Sequence, residues 1–164
     1  MNEPILQICG IEPESIVDGP GFRYVLFTQG CPHACPGCHN PETHPFEGGY
    51  PLDEEEFLSA VKNDPLLSGV TFSGGEPFCQ AEELAELGKK VHALGKNIVT
   101  FTGYTYEVLR AKNDAGINAL LKETDILIDG PYIEAERDLA IRFRGSRNQR
   151  ILRLKDGEMV EELS

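Results

Sequence analysis

Short apolar, β-branched runs alternate along this chain with amphipathic helical stretches, and that alternation leaves few folds open. Residues 22–28, 70–72, 98–101 and 126–129 have the composition of strands. Between them lie helix signals. Asp53 with Glu56 resembles a capping box ahead of Phe57, Leu58 and Val61 on one helical face, and Pro65 predicts where that helix stops. Over residues 81–94, Leu84, Ala85, Leu87, Val91 and Leu94 recur at helical spacing, and Gly95 is a natural terminator. Two shorter helices are expected around 106–111 and 117–122. Alternation of this kind predicts an α/β fold with a mostly parallel sheet and right-handed crossovers. Residues 149–154 and 159–160, joined by Lys155-Asp156-Gly157-Glu158, predict a terminal hairpin built on an Asp-Gly turn.

A complete eight-unit barrel needs about 250 residues, roughly 31 per unit, so this chain has room for about five β/α units. The expectation is a partial, open (β/α) barrel in a single domain over residues 1–164. The start, Met1-Asn2-Glu3-Pro4, has neither a basic nor an apolar leader region, and no apolar run approaches membrane-spanning length. Five cysteines, three of them clustered, argue for a reducing compartment and thiolate–metal chemistry rather than a disulfide framework, which predicts a cytoplasmic location. A net charge of −12 repels a phosphate backbone, so neither nucleic acid nor membrane is an expected partner. Against that acidity, six of the fifteen basic residues are arginines between Arg137 and Arg153. Arg142, Arg144, Arg147 and Arg150 are therefore expected to dock an anionic ligand or an acidic partner, the alternative being a solvated face laced with Glu134, Glu136 and Asp138.

Cys31, Cys35 and Cys38 stand at C-x3-C-x2-C spacing in a long loop rich in Pro, Gly, Asn and His that follows the strand at 22–28. Three thiolates can grip one face of an iron–sulfur cluster, whereas a closed cluster normally takes four, so one iron would stay open to a substrate or cofactor. The residues leave two other readings open. One is structural zinc with His33, His39 or His44 as fourth ligand; the other is an electron-transfer cluster closed by Cys9 or Cys79. Taken singly, Cys9 and Cys79 read as buried small hydrophobes. After the strand at 70–72 comes Ser73-Gly74-Gly75-Glu76-Pro77. Its side-chain-free backbone lets a ligand approach, and the Glu76 carboxylate with nearby carbonyls can accept hydrogen bonds from an ammonium group. Ligands of parallel α/β folds sit at the C-terminal ends of strands, so both loops are expected on one rim; Thr102-Gly103-Tyr104 ends a third strand and is either a further part of that rim or a plain turn. A closed zinc site needs no such second loop, which favours the open cluster. Asp18-Gly19-Pro20-Gly21-Phe22-Arg23 reads as a tight turn leading into a strand.

Taken together, Asp18-Gly19-Pro20-Gly21-Phe22-Arg23, Gln29-Gly30-Cys31, Cys38-His39-Asn40 and Ser73-Gly74-Gly75-Glu76-Pro77 resemble the radical S-adenosylmethionine activating enzymes of glycyl-radical enzymes. Phe101-Thr102-Gly103-Tyr104, Leu127-Ile128-Asp129-Gly130 and Arg144-Gly145-Ser146-Arg147-Asn148-Gln149-Arg150 resemble the branch of that family that serves anaerobic ribonucleoside-triphosphate reductases. The resemblance implies a barrel of the radical S-adenosylmethionine type. It implies that Cys31, Cys35 and Cys38 hold a 4Fe-4S cluster whose fourth iron chelates the amino and carboxylate groups of S-adenosylmethionine. Gly74, Gly75 and Glu76 would receive the methionine end, with Gly37, Cys38 and His39 along the cofactor. The chemistry is then carried by cluster and cofactor, with no catalytic side chain. Reduced flavodoxin or ferredoxin would supply an electron, and the resulting 5′-deoxyadenosyl radical would take a hydrogen from one glycine of the reductase large subunit. Activation of another glycyl-radical enzyme, such as pyruvate formate-lyase, is the alternative. Two residues depart from related patterns: Gly37 stands where many radical S-adenosylmethionine proteins have an aromatic, and Asp129 is followed by Gly130-Pro131 where the pyruvate formate-lyase activators have Asp-x-Lys. The role of Asp129 is left open by these residues.

Overall fold

The computed structural model describes residues 6–30, 49–131, 133–138, 143–144 and 146–163. The cysteine loop, with Cys31, Cys35, Gly37, Cys38 and His39, lies outside the described residues, as does Arg142. Among the described residues eight strands form one open sheet: β1 (Gln7–Ser15), β2 (Phe22–Thr28), β3 (Tyr50–Pro51), β4 (Leu67–Gly74), β5 (Asn97–Phe101), β6 (Ile126–Asp129), β7 (Arg150–Lys155) and β8 (Glu158–Leu163). Their spatial order is β3-β1-β2-β4-β5-β6-β7-β8. The centre, β2, β4, β5 and β6, is parallel, with Leu26 beside Phe72, Phe72 beside Thr100 and Thr100 beside Leu127. Helices α1 (Glu54–Asn63), α2 (Ala81–Ala93), α3 (Tyr106–Lys112) and α4 (Ala115–Glu123) fill the crossovers between these strands. All four parallel strands therefore end on the same rim.

Local chemistry accounts for the helix limits. Asp53 caps α1 by accepting from Glu56 N at 3.1 Å, and the helix ends two residues short of Pro65. Thr105 and Asp114 cap α3 and α4 in the same way. Asn113, at φ 45°, closes α3 in the left-handed region and separates the two helices. Along the strands alternate residues part to opposite faces. Leu26, Val70, Phe72, Ile98, Leu127 and Leu152 meet the helices in the main core with Leu84, Val91, Leu120 and Leu121. Each such side chain contributes roughly 2 kcal/mol by leaving water. Val99, Ile128 and Ile151 form a smaller cluster on the other face, with Phe101 and Phe143 against it.

The terminal hairpin forms as expected, with Asp156 and Gly157 both at positive φ, as a type I′ turn requires. The sheet as a whole, however, is mixed. Four parallel strands are described, against about five units from chain length. The remaining residues go into antiparallel edges: β1 and β3 on one side, β7 and β8 on the other. Nothing in the sequence signalled β1. Its register shifts between Ile8 and Gly10 and again between Glu12 and Ser15, which breaks the period of two. Pro13 is tolerated because, among the described residues, β3 pairs only with Gln7 and Ile8 and leaves the far half of β1 unpaired on that side.

The turn ahead of β2 houses a buried arginine. Arg23 is wholly buried; its Nε donates to Thr71 Oγ1 at 2.7 Å, and its Nη groups donate to the carbonyls of Pro20 (3.0 Å) and Val70 (2.8 Å). Burial pushes its pKa down to about 10, with the charge of Asp125 acting the other way. A Cβ at Gly19 would stand 2.7 Å from Arg23 Cδ, so this glycine makes room for the guanidinium's stem. Among the described residues no helix is long and apolar enough to cross a membrane.

Candidate functional site

The rim is built where β2, β4, β5 and β6 end. Gly74 takes φ +100°, and a Cβ there would lie 2.4 Å from Thr28 N, so only glycine lets the loop turn this close to β2. Gly75 N then donates to Thr28 O at 2.9 Å, and Glu76 N donates to Gly30 O at 2.7 Å. These two bonds hold the Gly-Gly-Glu loop against the last residues before Cys31.

Glu76 is wholly buried. It caps the 3-10 turn Pro77–Gln80 by accepting from Phe78 N at 3.1 Å. Gly103 N donates to its Oε1 at 2.7 Å, and Thr102 Oγ1 donates to Oε2 at 2.8 Å. At least three protein donors thus face this carboxylate. The side chain joins the loop after β4 to the loop after β5. Tyr104 N extends the link by donating to Thr102 Oγ1 at 3.1 Å. The sequence places Thr102 at a strand end on this rim, but nothing in its spacing pairs it with Glu76.

At the end of β6, Asp129 is also wholly buried. It accepts from Tyr106 N, the first residue of α3, at 2.7 Å and from Arg150 Nε at 3.0 Å. Arg150 also donates to Glu107 at 2.7 Å. The hydrogen bonds that Arg150 donates to Asp129 chiefly, and those to Glu107, raise the arginine's pKa further, while burial opposes them. Asp129 therefore anchors α3 and β7 at the rim, and Arg150 is engaged within the protein. Of the other arginines expected to dock a partner, Arg147 is exposed and Arg144 is half-buried.

Cys79 is exposed and Cys9 only partly buried, which corrects their reading as buried small hydrophobes. The buried positions of the 3-10 turn are taken by Pro77 and Phe78, and Cys9 sits at the first register shift of β1. Among the described residues no three His, Cys, Asp or Glu side chains gather as a metal site. Gln80 is a further rim residue without a sequence signal. It accepts from Gln7 N and donates to Gln7 O, both at 2.8 Å, and so ties β1 to the turn after Glu76.

The residues present fit an iron–sulfur cluster and its cofactor. Three thiolates within eight residues follow Gly30 in sequence, and the main chain of Gly75 and Glu76 is bonded to Thr28 and Gly30, with Gly74 and Gly75 bringing no side chains to that loop.

Residues 17–152 match the 4Fe-4S single cluster domain family. An anaerobic ribonucleoside-triphosphate reductase-activating protein of Salmonella typhi is 34% identical over 151 residues, covering 87% of this chain and 96% of the relative. The proteins of that name from Vibrio cholerae and Enterobacteria phage T4 are 36% and 34% identical, covering 86% and 90% of this chain. Among solved structures, QueE from Escherichia coli is similar in fold, with a TM-score of 0.52 at 17% identity over 62% of this chain and 54% of that one. The family match over residues 17–152 and the open α/β sheet make this a single-cluster iron–sulfur domain of α/β type. Within that class, the chain belongs to the family of anaerobic ribonucleoside-triphosphate reductase-activating proteins.

Proposed function

We propose that this protein generates a glycyl radical on an anaerobic ribonucleoside-triphosphate reductase, with Cys31, Cys35 and Cys38 as the cluster ligands. It is a radical S-adenosylmethionine enzyme that uses a 4Fe-4S cluster and S-adenosylmethionine. Held by Cys31, Cys35 and Cys38, the cluster would supply an electron, and S-adenosylmethionine a cleavable sulfonium, for hydrogen abstraction from glycine. The chain's own residues bind, orient and shield.

The observation that carries this reading is the pair of hydrogen bonds from Gly75 N and Glu76 N to Thr28 O and Gly30 O. They hold a side-chain-free wall beside the segment that enters the cysteine motif. On this reading the main chain of Gly74, Gly75 and Glu76 receives the methionine end of the cofactor. The Glu76 carboxylate keeps that wall in place through Thr102 and Gly103. Gly37, Cys38 and His39 lie along the cofactor, and Arg142, Arg144 and Arg147 meet the large subunit of the reductase. Arg150 supports that surface from beneath through Asp129. The electron comes from reduced flavodoxin or ferredoxin in the cytoplasm. The open sheet is a partial barrel of the radical S-adenosylmethionine type, in a single domain over residues 1–164.

The test is anaerobic reconstitution with iron and sulfide, reduction, and addition of S-adenosylmethionine. The expected products are methionine and 5′-deoxyadenosine, and mixing with the reductase should give a protein-centred radical. Reduced, cluster-loaded protein that forms no 5′-deoxyadenosine would refute the reading. A radical on pyruvate formate-lyase but not on the reductase would move the partner and leave the chemistry standing.

A further inference from the structure

Residues 146–149 are clamped to the chain leaving β6. Ser146 Oγ accepts from Ile133 N at 3.2 Å, Gln149 Nε2 donates to Gly130 O at 3.1 Å, and Asn148 Nδ2 donates to Pro131 O at 2.7 Å. Ser146 N closes the set by donating to Gln149 Oε1 at 3.1 Å. One atom stands apart. Among the described residues, Asn148 Oδ1 is the buried side-chain oxygen or nitrogen that no protein hydrogen bond reaches. The bond from Nδ2 to Pro131 O fixes the amide's orientation, because the flipped amide would set two carbonyl oxygens against each other.

A buried acceptor without a donor destabilises a fold and is rare enough in native proteins to call for a cause. Its place supplies one. Gly130 follows β6 at the rim and donates to Tyr104 O at 2.8 Å, which joins it to the loop after β5 that holds Glu76. Asn148 stands against Gly130 and Pro131, on the side of the molecule where the parallel strands end.

We propose that Asn148 Oδ1 is a ligand acceptor on this rim, taking a neutral N–H or O–H donor from a bound reactant. An uncharged oxygen suits a neutral donor, whereas a cation is better met by a carboxylate. Two reactants carry such a donor: the nucleoside of S-adenosylmethionine and the main-chain amides of the glycine-bearing segment. Naming those reactants rests on the function proposed above.

Two variants of the cluster-loaded protein separate the possibilities. Asn148→Leu removes the acceptor and the bond to Pro131, whereas Asn148→Asp removes that bond but keeps an acceptor. Asn148→Ala replaces the leucine variant if the latter does not load its cluster. Equilibrium dissociation constants for S-adenosylmethionine and for the reductase are measured separately, beside thermal unfolding midpoints. The leucine variant is expected to bind one reactant about tenfold more weakly, about 1.4 kcal/mol, with the aspartate variant staying within about threefold of wild type. Loss toward S-adenosylmethionine assigns the donor to the nucleoside, and loss toward the reductase assigns it to the peptide. Equal weakening in both variants, or shifted midpoints with both affinities intact, would overturn the proposal by making Asn148 a clamp for Pro131 alone. Wild-type protein that binds neither reactant would instead contradict the proposed function, and would remove this acceptor's ligand with it.

Discussion

Glu76 is a carboxylate with no exposure to water, and it meets Phe78 N, Thr102 Oγ1 and Gly103 N inside the protein. Glu76→Ala leaves those three donors buried and unmet, at a cost of about 3 kcal/mol, while Glu76→Gln keeps one acceptor oxygen and costs less. Urea denaturation of the metal-free protein should show that order; equal losses would contradict it. The arginines divide in a similar way. Arg150→Ala strands the buried charge of Asp129 and should cost about 3 kcal/mol or more. Arg147→Ala, at an exposed side chain, should stay within about 0.5 kcal/mol. Comparable losses at the two positions would sink that distinction. Sequence alone showed that Glu76 belongs to the rim and that Arg150 belongs to a basic stretch. It could not show which way either side chain faces, because the deciding partners stand 26 and 21 residues away.

His92, in the last turn of α2, joins four elements. Its Nδ1 meets Glu123 Oε1 at 3.0 Å and its Nε2 meets Asp125 Oδ2 at 2.9 Å, and the same Asp125 oxygen accepts from Ile98 N at 2.7 Å. The ends of α2 and α4 are thereby tied to the starts of β5 and β6. Burial lowers the imidazole's pKa, but the hydrogen bonds and charges of Asp125 and Glu123 outweigh it, and the net shift is upward. A raised folded pKa gives stability that is whole below the unfolded value of about 6.5 and is lost as pH climbs through the folded value. The destabilisation by His92→Gln should therefore be largest near pH 6 and shrink toward pH 9 in chemical denaturation; a constant gap would contradict it. The elements legible in the sequence were those whose signals are local. Asp53 acts within a turn of its own position, and Gly95 stops α2 at φ +78°. The strand β1 stayed hidden because its two register shifts and Pro13 erase the alternation, and only pairing with β2 makes it a strand.

Over the whole molecule, a net charge of −12 contrasts with the arginines between Arg137 and Arg153, which on the function proposed above meet a negatively charged partner surface. Arg147→Glu should weaken the complex with the reductase by roughly three- to tenfold at low salt and flatten its salt dependence. Unchanged affinity at both low and high salt would remove the arginines from the docking surface. The parallel centre of the sheet and the shared rim were readable from the alternation of strands and helices. On the flanks, the β7–β8 hairpin was readable from its Asp-Gly turn, whereas β1 and β3 were not, since β1 shifts register twice and β3 is two residues long. The central claim is that three cysteines hold a cluster with one iron open to S-adenosylmethionine beside the Gly-Gly-Glu wall. Electron paramagnetic resonance of the reduced, anaerobically reconstituted protein tests it most directly. The spectrum of a 4Fe-4S cluster should change when S-adenosylmethionine is added. A cluster signal that the cofactor leaves untouched, or one that survives replacement of Cys31, Cys35 and Cys38 together by Ala, would contradict the account.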